Sequence, residues 1–110
     1  MKHFMRLHDR YFQKILIMEK DIELRLFDEK RRTISIGDTV LFTNRTTGDF
    51  CERLVVDLII ANTFSEAISD DNLLLRSGFT PEDNIDEIMS SYYSEKDVSR
   101  YGVVGIVLGD

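Results

Sequence analysis

The chain has 110 residues, of which 43% are apolar and 31% charged, and its formal net charge is −6. That length supports one domain and excludes two with separate cores, while the abundance of apolar runs excludes a disordered chain. The acidic total excludes a protein that coats duplex DNA through many phosphate contacts; the lone Cys51 excludes an internal disulfide and a Cys-based zinc site.

Lys2–Leu7 reads as an opening strand, with Phe4 and Met5 expected to be buried. Asp9 can cap a helix running to about Met18, because Tyr11, Phe12, Ile15 and Leu16 fall on one helical face. From Ile22 the apolar period becomes two: Ile22, Leu24 and Leu26 share one side of a strand, and Glu23, Arg25 and Phe27 the other. Lys20 has the wrong parity to join Glu23 and Arg25 on a regular strand. Either the strand begins after Asp21 or a bulge re-aims Lys20.

Gly37-Asp38 marks a turn before a strand over Thr39–Thr43, and Thr46-Thr47-Gly48-Asp49 a hairpin turn into a long apolar strand over Phe50–Asn62. Its most apolar part, Leu54–Ala61, carries Asp57 and is far shorter than the roughly 18 residues of a bilayer span. Thr63-Phe64-Ser65-Glu66 has the form of a capping box, and Asp70 to Ser77-Gly78 can form a further turn. Thr80-Pro81-Glu82-Asp83 predicts a helix start, with Ile85, Ile88, Met89 and Tyr92 as its apolar stripe. Ser94–Arg100 reads as a polar loop, and Tyr101–Leu108 as a strand buried on both faces. The sum is an α+β fold: a small β-barrel of about five to six strands with two or three packed helices, in one domain over residues 1–110.

Charge divides the chain. Residues 1–56 hold 11 Lys/Arg against 9 Asp/Glu, and residues 57–110 hold 3 against 11. A local basic site in the first half is therefore compatible with the acidic total. The opening residues have no apolar signal region, so a reducing cytoplasm is the expected location and no membrane association is expected.

Lys20-x-x-Glu23-x-Arg25, followed by the basic turn Lys30-Arg31-Arg32 and by Ile36-Gly37-Asp38, resembles the signature of the ASCH family of the PUA-like superfamily. The opening strand and helix, Thr63–Glu66 and the closing Tyr101-Gly102-Val103-Val104-Gly105-Ile106 extend the likeness over nearly the whole chain. The resemblance implies a PUA-like barrel and a cleft for RNA or a modified nucleoside around Lys20, Glu23 and Arg25. One branch of the family is similar to amidohydrolases acting on N4-acetylcytidine, in which the motif Lys works with a Thr three residues later and a more distant Glu. Here Glu23 stands where that Thr would be, and Glu82 is the nearest acid to the Glu position. Met18 stands where the family usually has Gly, which implies a different turn or a pocket entrance narrowed by a thioether.

Lys20 can contact a phosphate, or act as a base if desolvation lowers its pKa; otherwise it is a solvated lysine at a helix end. Glu23 and Arg25 can orient Lys20 and a nucleotide, or form an ion-pair ladder on an exposed sheet face. If the protein is an enzyme, Lys20 and Glu23 are its catalytic pair. Arg31 and Arg32 can extend a phosphate-binding rim, and Tyr93 or Tyr101 can line the cleft as a stacking surface. His3 and His8 lack partners at ligand spacing, so no metal is expected, and no phosphate loop or other cofactor motif occurs.

Overall fold

Hydrophobic periodicity places five strands in the chain, and the computed structural model, which describes all 110 residues, arranges them in one sheet. The strands are β1 (Lys2–Leu7), β2 (Ile22–Leu26), β3 (Thr39–Asn44), β4 (Phe50–Ala61) and β5 (Val103–Gly109). Their order across the sheet is β1-β3-β4-β5-β2, with β1 and β3 parallel and the other neighbours antiparallel. The sheet curls into a half-barrel, helped by an irregular step between Val55 and Asp57 in β4. The α+β barrel-like fold is thus as the sequence predicts.

Each face of the sheet buries its own apolar cluster. Met5, Leu7, Val40, Phe42, Val55, Val104, Ile106 and Leu108 pack inside the curl with Phe12 and Ile15 of α1 (Asp9–Leu16). On the other face Ile22, Leu24, Val103 and Val107 pack against short helices: α2 (Phe64–Ala67), α3 (Asp71–Arg76) and α4 (Ile85–Met89). Strand β5 serves both clusters, which is why its sequence is apolar without alternation. Phe4 departs from expectation. It has the parity opposite to Met5 and lies 62% exposed on the outer surface.

The helices are shorter and more numerous than the apolar stripes suggest. Thr63 caps α2 as its capping-box sequence predicts, and Asp70 caps α3. Thr80-Pro81 does not open a helix: the Asp83 carboxylate accepts the Thr80 amide proton at 2.9 Å, closing a turn. Asn84 then caps α4. Ser94–Arg100 is not a loop, because Ser94 Oγ accepts the Asp97 amide at 3.1 Å and starts α5 (Glu95–Tyr101).

The junction from α1 to β2 sets the position of the motif. Glu19 N–H donates to Lys14 O and Met18 N–H to Ile15 O, the bond pattern of a Schellman helix end. Met18 occupies the left-handed position of that turn at φ 67°. The turn is therefore the one glycine would make, and the thioether is about half exposed rather than lining a cavity. Asp21 is then held by Arg76 through two carboxylate bonds of 2.8 and 3.2 Å and by a backbone bond to Arg76 O. Strand β2 begins only at Ile22, so Lys20 is free of strand parity and its side chain turns inward.

Candidate functional site

β1 and β2 are the two edges of the sheet, and no ladder pairs them. The seam between them is crossed by a side chain: Arg25 Nη2 donates to the Arg6 carbonyl at 3.0 Å. Behind this bridge Arg25 Nε lies 2.7 Å from Glu23 Oε2, and the other Glu23 oxygen lies 3.2 Å from Lys20 Nζ. Lys20 also donates to Ile22 O at 2.6 Å and to Ser77 O at 2.7 Å. The three motif residues thus form one polar chain from the 77–78 turn to β1. Gly78 adopts φ +91°, and a Cβ added there would lie 3.3 Å from Lys20 Cδ, so its backbone packs directly on the lysine.

Electrostatics follow from this burial. The side chains of Lys20 and Glu23 are 3% and 8% exposed. Burial pushes the Lys20 pKa down, and the Glu23 carboxylate pulls it part of the way back. Burial alone would raise the Glu23 pKa, but the Lys20 and Arg25 cations hold it below the ordinary value. Burial likewise works against the Arg25 charge, and Glu23 outweighs it, raising the guanidinium pKa. Three acceptors around Lys20 Nζ match the three protons of an ammonium. The triad therefore carries one carboxylate between two cations.

A cavity of about 160 Å³ opens onto this triad. Tyr11, Phe79, Met89, Tyr92 and Tyr93 form its apolar wall, and Arg6 and Arg45 stand at its mouth. Tyr93 stacks on Phe64 at 6.0 Å between ring centroids, and Lys20 Nζ sits 5.6 Å from the Tyr11 ring centre. An apolar cavity of about 150 Å³ accommodates a benzene ring, so this one has room for one planar ring.

The structure brings Lys20, Glu23, Arg25 and Tyr93 together at one cavity. Arg31 lies beside a neighbouring groove, paired with Asp28 at 2.8 Å. Arg32 and Tyr101 do not reach the cavity. Arg32 packs over Phe27 at 4.3 Å and donates to the Tyr101 carbonyl at 3.0 Å, and the Tyr101 ring lies near Arg100. Tyr101 is held beyond the end of β2, where the Phe27 amide donates to the carbonyl of the adjacent Gly102, and the Arg32 bond keeps Arg32 beside it. Tyr92, expected in the core, is 55% exposed at the cavity rim, because α4 ends at Met89. Arg6, Arg45 and Tyr11 join the site without a signal in the sequence. Arg6 and Arg45 follow β1 and β3 into register through their parallel pairing, a long-range relation with no local pattern; Tyr11 reads as an ordinary core residue of α1.

His3 bonds Asp38 at 2.8 Å, and no group of three or more His, Cys, Asp or Glu side chains is placed to hold a metal. Cys51 is buried and free. No helix is long and apolar enough to cross a membrane.

No protein-family model matches the chain, and no curated protein matches it significantly. Among solved structures the chain is similar to the crystal structure of hypothetical protein PH0355, at 29% identity and a TM-score of 0.84, over 98% of this chain and 97% of that one. It is also similar to the solution NMR structure of protein PF0455 from Pyrococcus furiosus, at 29% identity and a TM-score of 0.70, over 98% and 96% of the two chains.

Proposed function

We propose that the protein binds RNA or a nucleotide, with one base held in the seam cavity over Lys20, Glu23 and Arg25. The observation that carries this reading is the buried Lys20–Glu23–Arg25 triad at the floor of a ring-sized aromatic cavity. A planar ring can stack on Tyr92 or Tyr93, and the floor presents the Arg25 guanidinium and the Glu23 carboxylate to the ring's polar edge. The resemblance of the motif to the ASCH signature, and through it to PUA-like RNA-binding domains, points the same way. The cytoplasm is the setting we assign, for which the free, buried Cys51 is the support. The test is binding of short single-stranded RNA of mixed sequence at low salt, by wild type and by Tyr92→Ala and Arg25→Ala. Weakening of at least tenfold in both variants is expected; equal binding by all three, or no binding by the wild type, overturns the reading.

A second reading is a small amidohydrolase acting on an acylated nucleoside such as N4-acetylcytidine. It is favoured by the buried lysine, whose pKa burial lowers, beside a carboxylate 3.2 Å away. For Lys20 to act as base or nucleophile its ammonium must pass a proton to the Glu23 carboxylate and give up one of its three bonds when substrate enters. Release of acetate from N4-acetylcytidine above a Lys20→Met control would support this reading, and its absence would end it.

A further inference from the structure

A second groove of about 430 Å³ adjoins the seam cavity. The two share Arg6, Arg25 and Arg45, and the groove adds Lys30 and Arg31. No carboxylate lines it. Arg25 is balanced by Glu23 and Arg31 by Asp28, but Arg6, Lys30 and Arg45 form no ion pair. Three uncompensated cations therefore converge on one concavity of a protein whose net charge is −6. Like charges placed together without partners repel, and the arrangement is unfavourable until an anion enters. Arg31 is only partly answered: Asp28 takes its Nη1, and its Nε is buried with no hydrogen-bond partner.

From this we propose that the groove is a phosphate subsite of the seam cavity, so that the ligand is a nucleoside carrying a phosphate and not a free nucleoside. The inference rests on the reading of the cavity as a base site. With the ring over the triad, the sugar passes the Arg25 bridge and the phosphate lies among Arg6, Lys30 and Arg45. Guanidinium groups suit the task because they bind phosphate oxygens in pairs. Thr43, opposite Arg6 in the β1–β3 register, places a hydroxyl in the same groove. Phe4, 62% exposed at the groove's edge, offers a stacking surface to a following base if the phosphate belongs to a strand.

The experiment compares, by calorimetry at low salt, the four ribonucleosides, their 5′- and 3′-monophosphates, and short single-stranded RNA. It uses wild type, the double variant Arg6→Ala/Arg45→Ala and the charge reversal Arg45→Glu, with folding checked by circular dichroism. In wild type the phosphate is expected to raise affinity at least tenfold over the parent nucleoside. That ratio should fall toward one in the double variant and below one in Arg45→Glu. The salt dependence of RNA binding should flatten by about 0.7 in log–log slope for each phosphate that a variant no longer neutralises. A strand that gains further salt-dependent affinity over the best mononucleotide identifies a phosphodiester as the occupant; equal affinity identifies a monoester. Nucleosides that bind as well as their phosphates overturn the subsite and leave the base site standing. Absence of binding by every compound overturns both.

Discussion

Lys20 Nζ and Glu23 Oε1 lie 3.2 Å apart in the interior, and the second Glu23 oxygen belongs to Arg25. The carboxylate thus serves two cations, while each cation has further acceptors of its own: Ile22 O and Ser77 O for Lys20, Arg6 O for Arg25. The asymmetry makes Glu23 the member of the triad whose removal should cost most.

Glu23→Gln leaves two buried cations facing a neutral amide and should destabilise the protein by about 3–5 kcal/mol. Lys20→Met removes one cation but leaves Glu23 its partner in Arg25, and should cost less, about 2–3 kcal/mol, chiefly through the two carbonyls it abandons. Because the residues touch, the double variant should cost at least about 1 kcal/mol less than the two single losses together. Urea unfolding of the four proteins measures this. Strict additivity would mean that the pair contributes no coupling.

Met18 should respond in the opposite sense. A non-glycine residue in the left-handed region costs about 1–2 kcal/mol, and glycine returns only part of that because of the greater freedom it gives the unfolded chain. With φ at 67° in a Schellman turn, Met18→Gly should stabilise by about 0.5–1 kcal/mol. For a chain of this size that raises the melting temperature by roughly 2–4 °C, a shift calorimetry resolves. A lower melting temperature would show that the exposed thioether stabilises more than the backbone strain costs.

These two sites also mark what is legible in the sequence. Strict alternation from Ile22 puts Glu23 and Arg25 on one face, and the shift of period before Ile22 singles out an irregular backbone around Lys20. Strands with a local pattern, β1, β4 and β5, lie where periodicity places them to within a residue or two at their ends. The segment from 80 to 101 is less legible because side-chain caps decide it: Asp83 closes a turn where a helix start is expected, Asn84 starts α4 after it, and Ser94 opens α5 in a stretch that reads as a polar loop. The basic mouth is not legible at all. Arg6 and Arg45 are far apart in sequence and meet only because β1 pairs in parallel with β3.

Asp38 ties that parallel edge together, accepting from His3 at 2.8 Å and from the Ser35 amide at 2.9 Å. The His3 bond first and the Ser35 bond second lower its pKa from 3.8 to about 2. A carboxyl whose pKa is depressed by folding stabilises the fold above its unfolded pKa and loses that contribution as pH falls through the folded one. The stability difference between wild type and Asp38→Asn should therefore shrink as pH falls from about pH 4 to about pH 2. Denaturant midpoints across that range give the comparison. A difference that stays level down to the acid end would mean that Asp38 titrates normally.

Arg25→Lys tests the bridge across the seam. An ammonium offers no rigid fork, so lysine can reach Glu23 or the Arg6 carbonyl but cannot hold both as Arg25 Nε and Nη2 do. Glu23 keeps a cationic partner, and the cost to global stability should be modest, about 1 kcal/mol. The local effect should be larger. With no ladder between β1 and β2, the seam is left without its cross-link and the end of β1 gains freedom to open. Amide hydrogen exchange at Met5–Leu7 should then quicken by more than the global change accounts for, while β4 and β5, paired on both sides, follow the global value. Uniform acceleration across all five strands would show that the seam is held by the packing of α1 and not by Arg25.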